Sequence, residues 1–496
     1  MTVDTLRFLL PEIILILAAI IVVVVDLVNG RRTNDRTLAA IAVAGLLAAA
    51  LAAFTLTGLD PTSVTGTVAI DGFAVFLKVV ALVGVALVVL LSVEYLPKHS
   101  DNRGEYYAFL LAVGLAISVA VGANDLILIY IALEFLSITS YILVGYLRND
   151  AKSSEASVKY FIYGSVASGV LLYGLSLLFG ATGSTNLLAV FEALSGQGLS
   201  EGMRWLSFTS VALLIVGFGF KISLVPFHQW APDTYEGAPT PITGFLSTAS
   251  KAAGFALLVR TFVVGLTVFA IDWITLLAGL SMVTMTFGNL VALRQTNMKR
   301  LFAYSSIAQA GYILMGLVAI PQVKFGLMPF SEFTFNGING ILIYLFSYLF
   351  TNLGVFAVVI AVENRTGKVE LKDYAGLFYR SPWLASLLLL FLLSLTGIPP
   401  TLGFWAKYFV FGAAIHVKFY ALAFVGLINA AIAAGYYLNI ARYMFMMDPQ
   451  EKEKISISPI LGVALAVCAL VVVVIGIQPR WLIEWASESA TFLTSM

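Results

Sequence analysis

Apolar runs of 18 to 25 residues recur along this 496-residue chain, each closed by a short polar stretch. An α-helix needs about 20 such residues to cross the hydrocarbon core of a bilayer. Hydropathy sets fourteen cores, at 8–28, 37–57, 72–95, 106–122, 125–146, 157–180, 206–229, 242–266, 272–291, 301–320, 338–361, 382–411, 419–443 and 458–478. The ten-residue alternation of a transmembrane β-barrel is missing. The pattern therefore predicts an all-α polytopic membrane protein of about fourteen transmembrane helices. Two polar interruptions stand out. "ATGSTNLLAVFEALSGQGLSEGMR" predicts a loop with a short interfacial helix, and "PQVKFGLMPFSEFTFNG" predicts a second such piece.

Composition narrows the function. The chain is 60% hydrophobic and 11% charged, with mean hydropathy +0.96, which excludes an ordinary soluble domain. A net charge of +1 implies no broad basic surface for nucleic acid. The single Cys468 forms no intrachain disulfide or CxxC site, and no P-loop or GxGxxG follows a predicted strand. Nothing in the chain itself predicts a cofactor or metal. The opening "MTVDTLRFLLPEIILILAAIIVVVVDLVNG" lacks a basic leader and a small-x-small cleavage site, so it reads as the first span.

Candidate chemistry lies in charges at membrane depth. Glu134, in "DLILIYIALEFLSITSYILVGYL", has apolar turns on both sides, where an isolated charge costs roughly 2.5 kcal/mol or more. It should be protonated, paired or beside a hydrated cavity. Lys159 begins the next span and either snorkels or faces Glu134 across the hairpin. Lys221 and His228 flank Pro226 in "GFGFKISLVPFHQWAPDTYEGAPTP". The proline interrupts the helix ladder, which is tolerated where a polar cavity satisfies the freed groups. His228 either relays a proton or is a bonded histidine near the boundary. Lys251 sits near the centre of span eight among small residues. Pro399 and Pro400 break span twelve ahead of Lys407. Spans seven and twelve thus each join a proline break to a lysine, a weak inverted symmetry between spans four to eight and nine to thirteen. Lys78, about two turns from the outward edge, either snorkels or serves the site, and Arg260 has the same two readings. Ser305, Ser306 and Gln309 either line a route or merely pack, and Tyr235 and Glu236 are expected to shape a loop.

Five separated motifs occur in order: "ALEFLSITSYILVGY", "VKYFIYGSVASGVLLYG", "KISLVPFHQWAPDTYEGAPTPITGFLSTASKAAGFA", "QTNMKRLFAYSSIAQAGY" and "LTGIPPTLGFWAKYF". Together they resemble the subunit N family of bacterial NADH–quinone oxidoreductase, over essentially the whole chain. The resemblance implies an antiporter-like fold with two inverted five-helix repeats and broken helices 7 and 12. Its segments would be residues 1–105 (helices 1–3), 106–266 (helices 4–8), 267–445 (helices 9–13) and 446–496 (helix 14 and tail). It also implies a proton relay through Glu134, Lys159, Lys221, His228, Lys251 and Lys407, with Glu134 and Lys159 as a charge pair. Other membrane-arm subunits would be the partners, and NADH, FMN, iron–sulfur clusters and quinone would belong to partner subunits. The chain would serve the enzyme as a translocase subunit with no redox site of its own. A related cation/proton antiporter or membrane-bound hydrogenase complex is the alternative.

Sidedness follows from basic residues in the loops. With even-numbered crossings returning outward, seventeen Lys and Arg fall in inward loops, among them Arg31, Arg32, Lys368 and Lys452, against Arg7, Arg204, Lys324, Lys418 and Arg480 outside. The resemblance sets this in a bacterial plasma membrane, with both termini outward. Accessibility labels at Thr2 and Ser495 should react from the outward side, and labels near Arg31 and Lys368 from inside. A terminus labelled from the opposite side overturns the fourteen-span assignment.

Overall fold

The computed structural model describes residues 3–30, 35–196, 200–324, 335–449 and 453–495. Arg31, Arg32, Lys452 and most of the second polar interruption lie outside them. Among the described residues the chain is almost wholly helical. The first helices are α1 (Val3–Phe8), α2 (Leu10–Asn29), α3 (Asp35–Phe54), α4 (Gly72–Tyr95), α5 (Arg103–Gly122), α6 (Leu126–Val144) and α7 (Ala151–Thr182). Next come α8 (Leu187–Ser195), α9 (Glu201–Ile222), α10 (Trp230–Gly237), α11 (Thr240–Ser247), α12 (Ala249–Arg260), α13 (Ala270–Ala292) and α14 (Met298–Lys324). The last are α15 (Gly337–Thr366), α16 (Leu377–Arg380), α17 (Pro382–Thr396), α18 (Leu402–His416), α19 (Tyr420–Met446), α20 (Pro459–Ile477) and α21 (Arg480–Ser495). A two-stranded hairpin, β1 (Thr62–Val64) and β2 (Val68–Ile70), joins α3 to α4 and was not expected from the hydropathy. The interfacial helix foreseen in the first polar interruption is α8.

Thirteen helical segments among the described residues are long and apolar enough to cross a membrane. The remaining expected core, the twelfth at 382–411, is divided between α17 and α18, and α17 is too short to cross alone. Caps set many of the starts. The Asp71 carboxylate accepts from Ala74 N–H at 2.8 Å, and Asp125 accepts from Ile127 and Leu128 at 2.9 and 3.2 Å. Gly183 ends α7 in the left-handed region, at φ 70°, which glycine enters without a Cβ clash.

Burial sorts the helices. α15 and the α11–α12 segment are buried throughout their apolar windows, and α14 and α4 nearly so, whereas α2, α7, α19 and α20 keep broad outer faces. The buried helices carry the ionisable residues inward. Lys78 and Arg260 do not snorkel. Lys78, on α4, meets Glu12 of α2 at 2.5 Å, and Ser118 of α5 donates to the same oxygen at 2.7 Å. Arg260, at the end of α12, forks onto both oxygens of Asp71 at 2.8 and 2.9 Å. Each partner is a carboxylate brought by a distant segment, so hydropathy around the cation alone could not reveal it.

Span eight, read as one helix, is also divided. Thr248 leaves helical geometry at φ −119°, ψ −88°, and a π-helical turn, Thr261–Gly265, follows α12. The hydroxyls of Ser247 and Thr248 both donate to the Gly244 carbonyl, at 2.8 and 2.7 Å. Asn352 of α15 donates to Ser247 at 2.7 Å, fixing the joint from across the interface.

The Asp71–Arg260 pair should therefore hold the N-terminal helices to the core. Asp71→Asn leaves a guanidinium buried without its countercharge and should cost about 3 kcal/mol or more. Asp71→Leu with Arg260→Leu should recover much of that loss. Thermal unfolding in detergent checks both, and equal midpoints for wild type and Asp71→Asn would rule out the clamp.

Candidate functional site: a buried lysine series

Besides Lys299 at the head of α14, which donates to the Ala238 carbonyl at 2.7 Å, three lysines lie inside the bundle on different helices, and each is met by a neutral oxygen. Lys221, in the last turn of α9, donates to the Ser137 hydroxyl of α6 at 3.1 Å. Lys251, in the first turn of α12, donates to the Ser306 carbonyl of α14 at 2.8 Å. Lys407, on α18, donates to the Thr396 carbonyl at 2.8 Å and lies 4.9 Å from the centre of the Tyr312 ring. Among the described residues no carboxylate forms an ion pair with any of the three.

Local irregularity delivers these contacts. α9 stops at Ile222 because Ser223 takes positive φ, 63°, and Pro226 lies just beyond. α17 stops at Thr396 with Gly397 at φ 91°, which leaves its last carbonyls without helical donors. One of these, Thr396, receives Lys407. Gly254 gives α12 its close approach to α9, since a Cβ there would fall 2.8 Å from Ile222 and 3.1 Å from the Lys221 side chain.

Glu134 and Lys159 do not pair. Ser168 of α7 donates to the half-buried Glu134 carboxylate, which lies one turn from Ser137 on the same helix. Glu134 therefore belongs beside Lys221. Ser168 is nine residues beyond Lys159, roughly 14 Å of helix rise, so the two charges meet α7 at different depths. Lys159 instead contacts Asp233 of α10 at 2.7 Å and Glu155 at 2.8 Å. His228 also stands apart from the lysines, with its ring edge-on to Phe287 of α13 at 4.7 Å.

The Lys159 contact opens a cluster that the sequence reading missed. α10 presents Asp233 and Glu236 three residues apart on one face. Arg300 of α14 bridges them at 2.6 and 3.0 Å, and Lys152 of α7 reaches Glu236 at 3.0 Å. These groups, with Glu155, line an open cavity of about 280 Å³. Burial pushes the Asp233 carboxyl up, but hydrogen bonds from Lys159 and Arg300 outweigh it and hold the group below its ordinary value. Glu236 is held low in the same way, with Lys152 and Arg300 overcoming burial. Both stay ionised near neutral pH, so the ion pairs lining the cavity persist there. Its local signal was the D-x-x-E spacing of "PDTYEG"; Arg300, the bridging cation, lies 67 residues further on.

Tyr235, between those carboxylates in sequence, faces inward. Its hydroxyl lies 3.4 Å from that of Ser306, whose carbonyl holds Lys251. Ser305 and Gln309 do more than pack. Ser305 shares a 2.6 Å bond with the Tyr437 hydroxyl, and Gln309 bonds Tyr437, Tyr344 and the Leu395 carbonyl. Among the described residues no group of three His, Cys, Asp or Glu side chains gathers to hold a metal, and Cys468 is a buried free thiol. The arrangement gathers side chains whose groups can accept and donate protons.

Residues 123–433 match the family described as NADH:quinone oxidoreductase/Mrp antiporter, transmembrane. The chain is 41% identical to NADH-quinone oxidoreductase subunit N of Heliobacterium modesticaldum, over 98% of this chain and 99% of that one. It is 42% identical to the subunit N of Desulfitobacterium hafniense, again over 98% and 99%. Among solved structures it resembles a chain of respiratory complex I from Thermus thermophilus with bound aureothin. That match has TM-score 0.79 and 29% identity, covering 96% of this chain and 98% of that one. A chain of the Mrp complex from Dietzia shares the fold at TM-score 0.85 and 20% identity, covering 100% and 98%. Matched along nearly its whole length by relatives more than 40% identical, the chain belongs to the NADH-quinone oxidoreductase subunit N family.

Proposed function

We propose that this chain is a proton-translocating membrane subunit of an NADH:quinone oxidoreductase, moving protons through its buried lysines while electron transfer occurs in partner subunits. The observation that carries the reading is the neutral coordination of Lys221, Lys251 and Lys407. A permanently charged lysine at this depth calls for a carboxylate, whereas one that alternates between ammonium and amine needs an oxygen that accepts in one state and is not left as a buried anion in the other. Ser137, Ser306 and Thr396 supply such oxygens.

Glu134 serves Lys221 as a nearby charge, Lys159 is held inward by Asp233, and His228 lies on the inward approach. Residues 106–266 and 267–445 form two inverted five-helix repeats, with the break between α9 and α10 in one answering that between α17 and α18 in the other. Residues 1–105 precede the repeats, and 446–496 close the chain. Both termini face outward, and the other membrane-arm subunits are the partners. NADH, FMN, iron–sulfur clusters and quinone belong to those subunits. Whole-length identity to subunit N relatives favours this reading over a cation/proton antiporter subunit, for which the support is a likeness of fold.

Lys251 decides the matter. Lys251→Ala removes the exchangeable charge and keeps a good helix former. Lys251→Arg keeps the charge but does not release it at physiological pH. Both assembled complexes should oxidise NADH with protons moved per NADH lost or sharply reduced, measured in sealed vesicles. Near-native coupling in both would rule out protonation of Lys251 as a necessary step.

A further inference from the structure

Between Lys251 and Lys407 the polar groups are mostly hydroxyls, which both donate and accept, together with a carboxamide, Gln309. Gln309 stands on α14 one turn beyond Ser306 and is 2% exposed. It lines a cavity of about 10 Å³, the room of about one water, shared with Tyr348, Thr351, Ser394 and Lys407. Tyr348 in turn lies against Ser306, whose carbonyl receives Lys251. Gln309 is therefore beside the connection between the two lysines.

Its neighbours fix which way the amide points. The Leu395 carbonyl, 3.4 Å from the amide nitrogen, can only accept, so the NH₂ group must face it. The same NH₂ donates to the Tyr437 oxygen at 3.3 Å, leaving the Tyr437 hydrogen available to Ser305 at 2.6 Å. The amide oxygen then faces Tyr344, whose hydroxyl has to donate to it. Tyr344 thus commits its hydrogen to Gln309 and offers the cavity only an acceptor. A carboxamide neither gains nor loses a proton near neutral pH, so a proton cannot hop through it as it does through a hydroxyl or water. Both NH₂ bonds lie at the long end of the hydrogen-bond range, so rotating the amide gives up chiefly its bond from Tyr344.

We propose that Gln309 is a valve between the Lys251 and Lys407 sites: at rest it holds Tyr344 in the non-conducting orientation, and its rotation releases Tyr344 to complete the proton route through the cavity. Gln309 is a positioning residue, since it carries no proton itself. The inference rests on the lysine relay proposed above.

Gln309→Glu tests it most directly. A neutral glutamic acid keeps the shape, accepts from Tyr344 and donates its one O–H toward either Tyr437 or the Leu395 carbonyl, yet it can pass a proton in either direction. Gln309→Met keeps the volume and removes the polarity. Assembled complexes are placed in sealed vesicles. Passive proton conductance is read under an imposed pH gradient without NADH, and protons moved per NADH are read with it. Gln309→Glu should raise the passive leak by about tenfold, the scale on which a positioned acid–base group changes proton transfer. Gln309→Met, which cannot hold Tyr344, should also raise the leak and lower the protons moved per NADH. If the glutamate disturbs assembly, Gln309→His, a second protonatable group, is read in the same way. An assembled Gln309→Glu complex with native leak overturns the valve whatever its coupling. If Lys251→Ala loses coupling in the same experiment, the relay stands and only the valve has failed. Native coupling in Lys251→Ala rejects the relay, and the valve with it.

Discussion

Hydrocarbon offers no hydrogen-bond partner, so every ammonium carried to membrane depth in this bundle has to be met by oxygen from the protein itself. A continuous helix spends its carbonyls on its own amides. The breaks release them. α17 ends at Thr396, and the carbonyl so freed receives Lys407. The end of α9 at Ile222 puts Lys221 in a terminal turn beside Ser137. The joint at Thr248 starts α12 only a few residues before Lys251. The irregular segments are thus where a helical bundle acquires an interior polar enough to hold exchangeable charge.

The buried cations fall into two kinds. Lys78 and Arg260 meet carboxylates, Glu12 and Asp71, with side chains almost wholly shielded from solvent. Such pairs lock charge in place, because neutralising either partner strands the other. Here they bind α2 to α4, and the head of α4 to the end of α12. Lys221, Lys251 and Lys407 bond neutral oxygens and form no direct ion pair among the described residues. Loss of a proton from any of them therefore breaks no carboxylate contact, and Glu134 near Lys221 keeps its bond from Ser168. Fixed pairs hold the framework, and the relay proposed here runs through the cations without fixed partners.

α10 links an open charged surface to this interior. Its eight residues carry Asp233 and Glu236 into a cluster with Lys152, Lys159 and Arg300, and Tyr235 toward Ser306. Trp230 seats the helix, stacking on Tyr160 of α7 at 4.3 Å and donating to the Phe220 carbonyl at 3.0 Å. A displacement of α10 would disturb both the open charge cluster and the neighbourhood of Lys251. The short helix is accordingly part of the site as well as a connection between two spans.

Hydropathy by itself determined the helical class and the approximate position of every span, because crossing length and apolar content are properties of a local window. It also picked out the lysines at depth, since a charge inside an apolar run is conspicuous wherever the run packs. The proline break ahead of Lys407 was visible for the same reason. Partners were not. Glu134 and Lys159 are close enough in sequence to suggest a hairpin pair, yet the packing of α6, α7 and α10 gives Ser168 to one and Asp233 to the other. Glu12 and Asp71 meet Lys78 and Arg260 across separations of 66 and 189 residues, which no window spans. The joint at Thr248 has no proline and depends on hydroxyls and on Asn352 from another helix. Which oxygen faces a buried charge is decided by helix rotation and depth, and those are set only when the whole bundle packs.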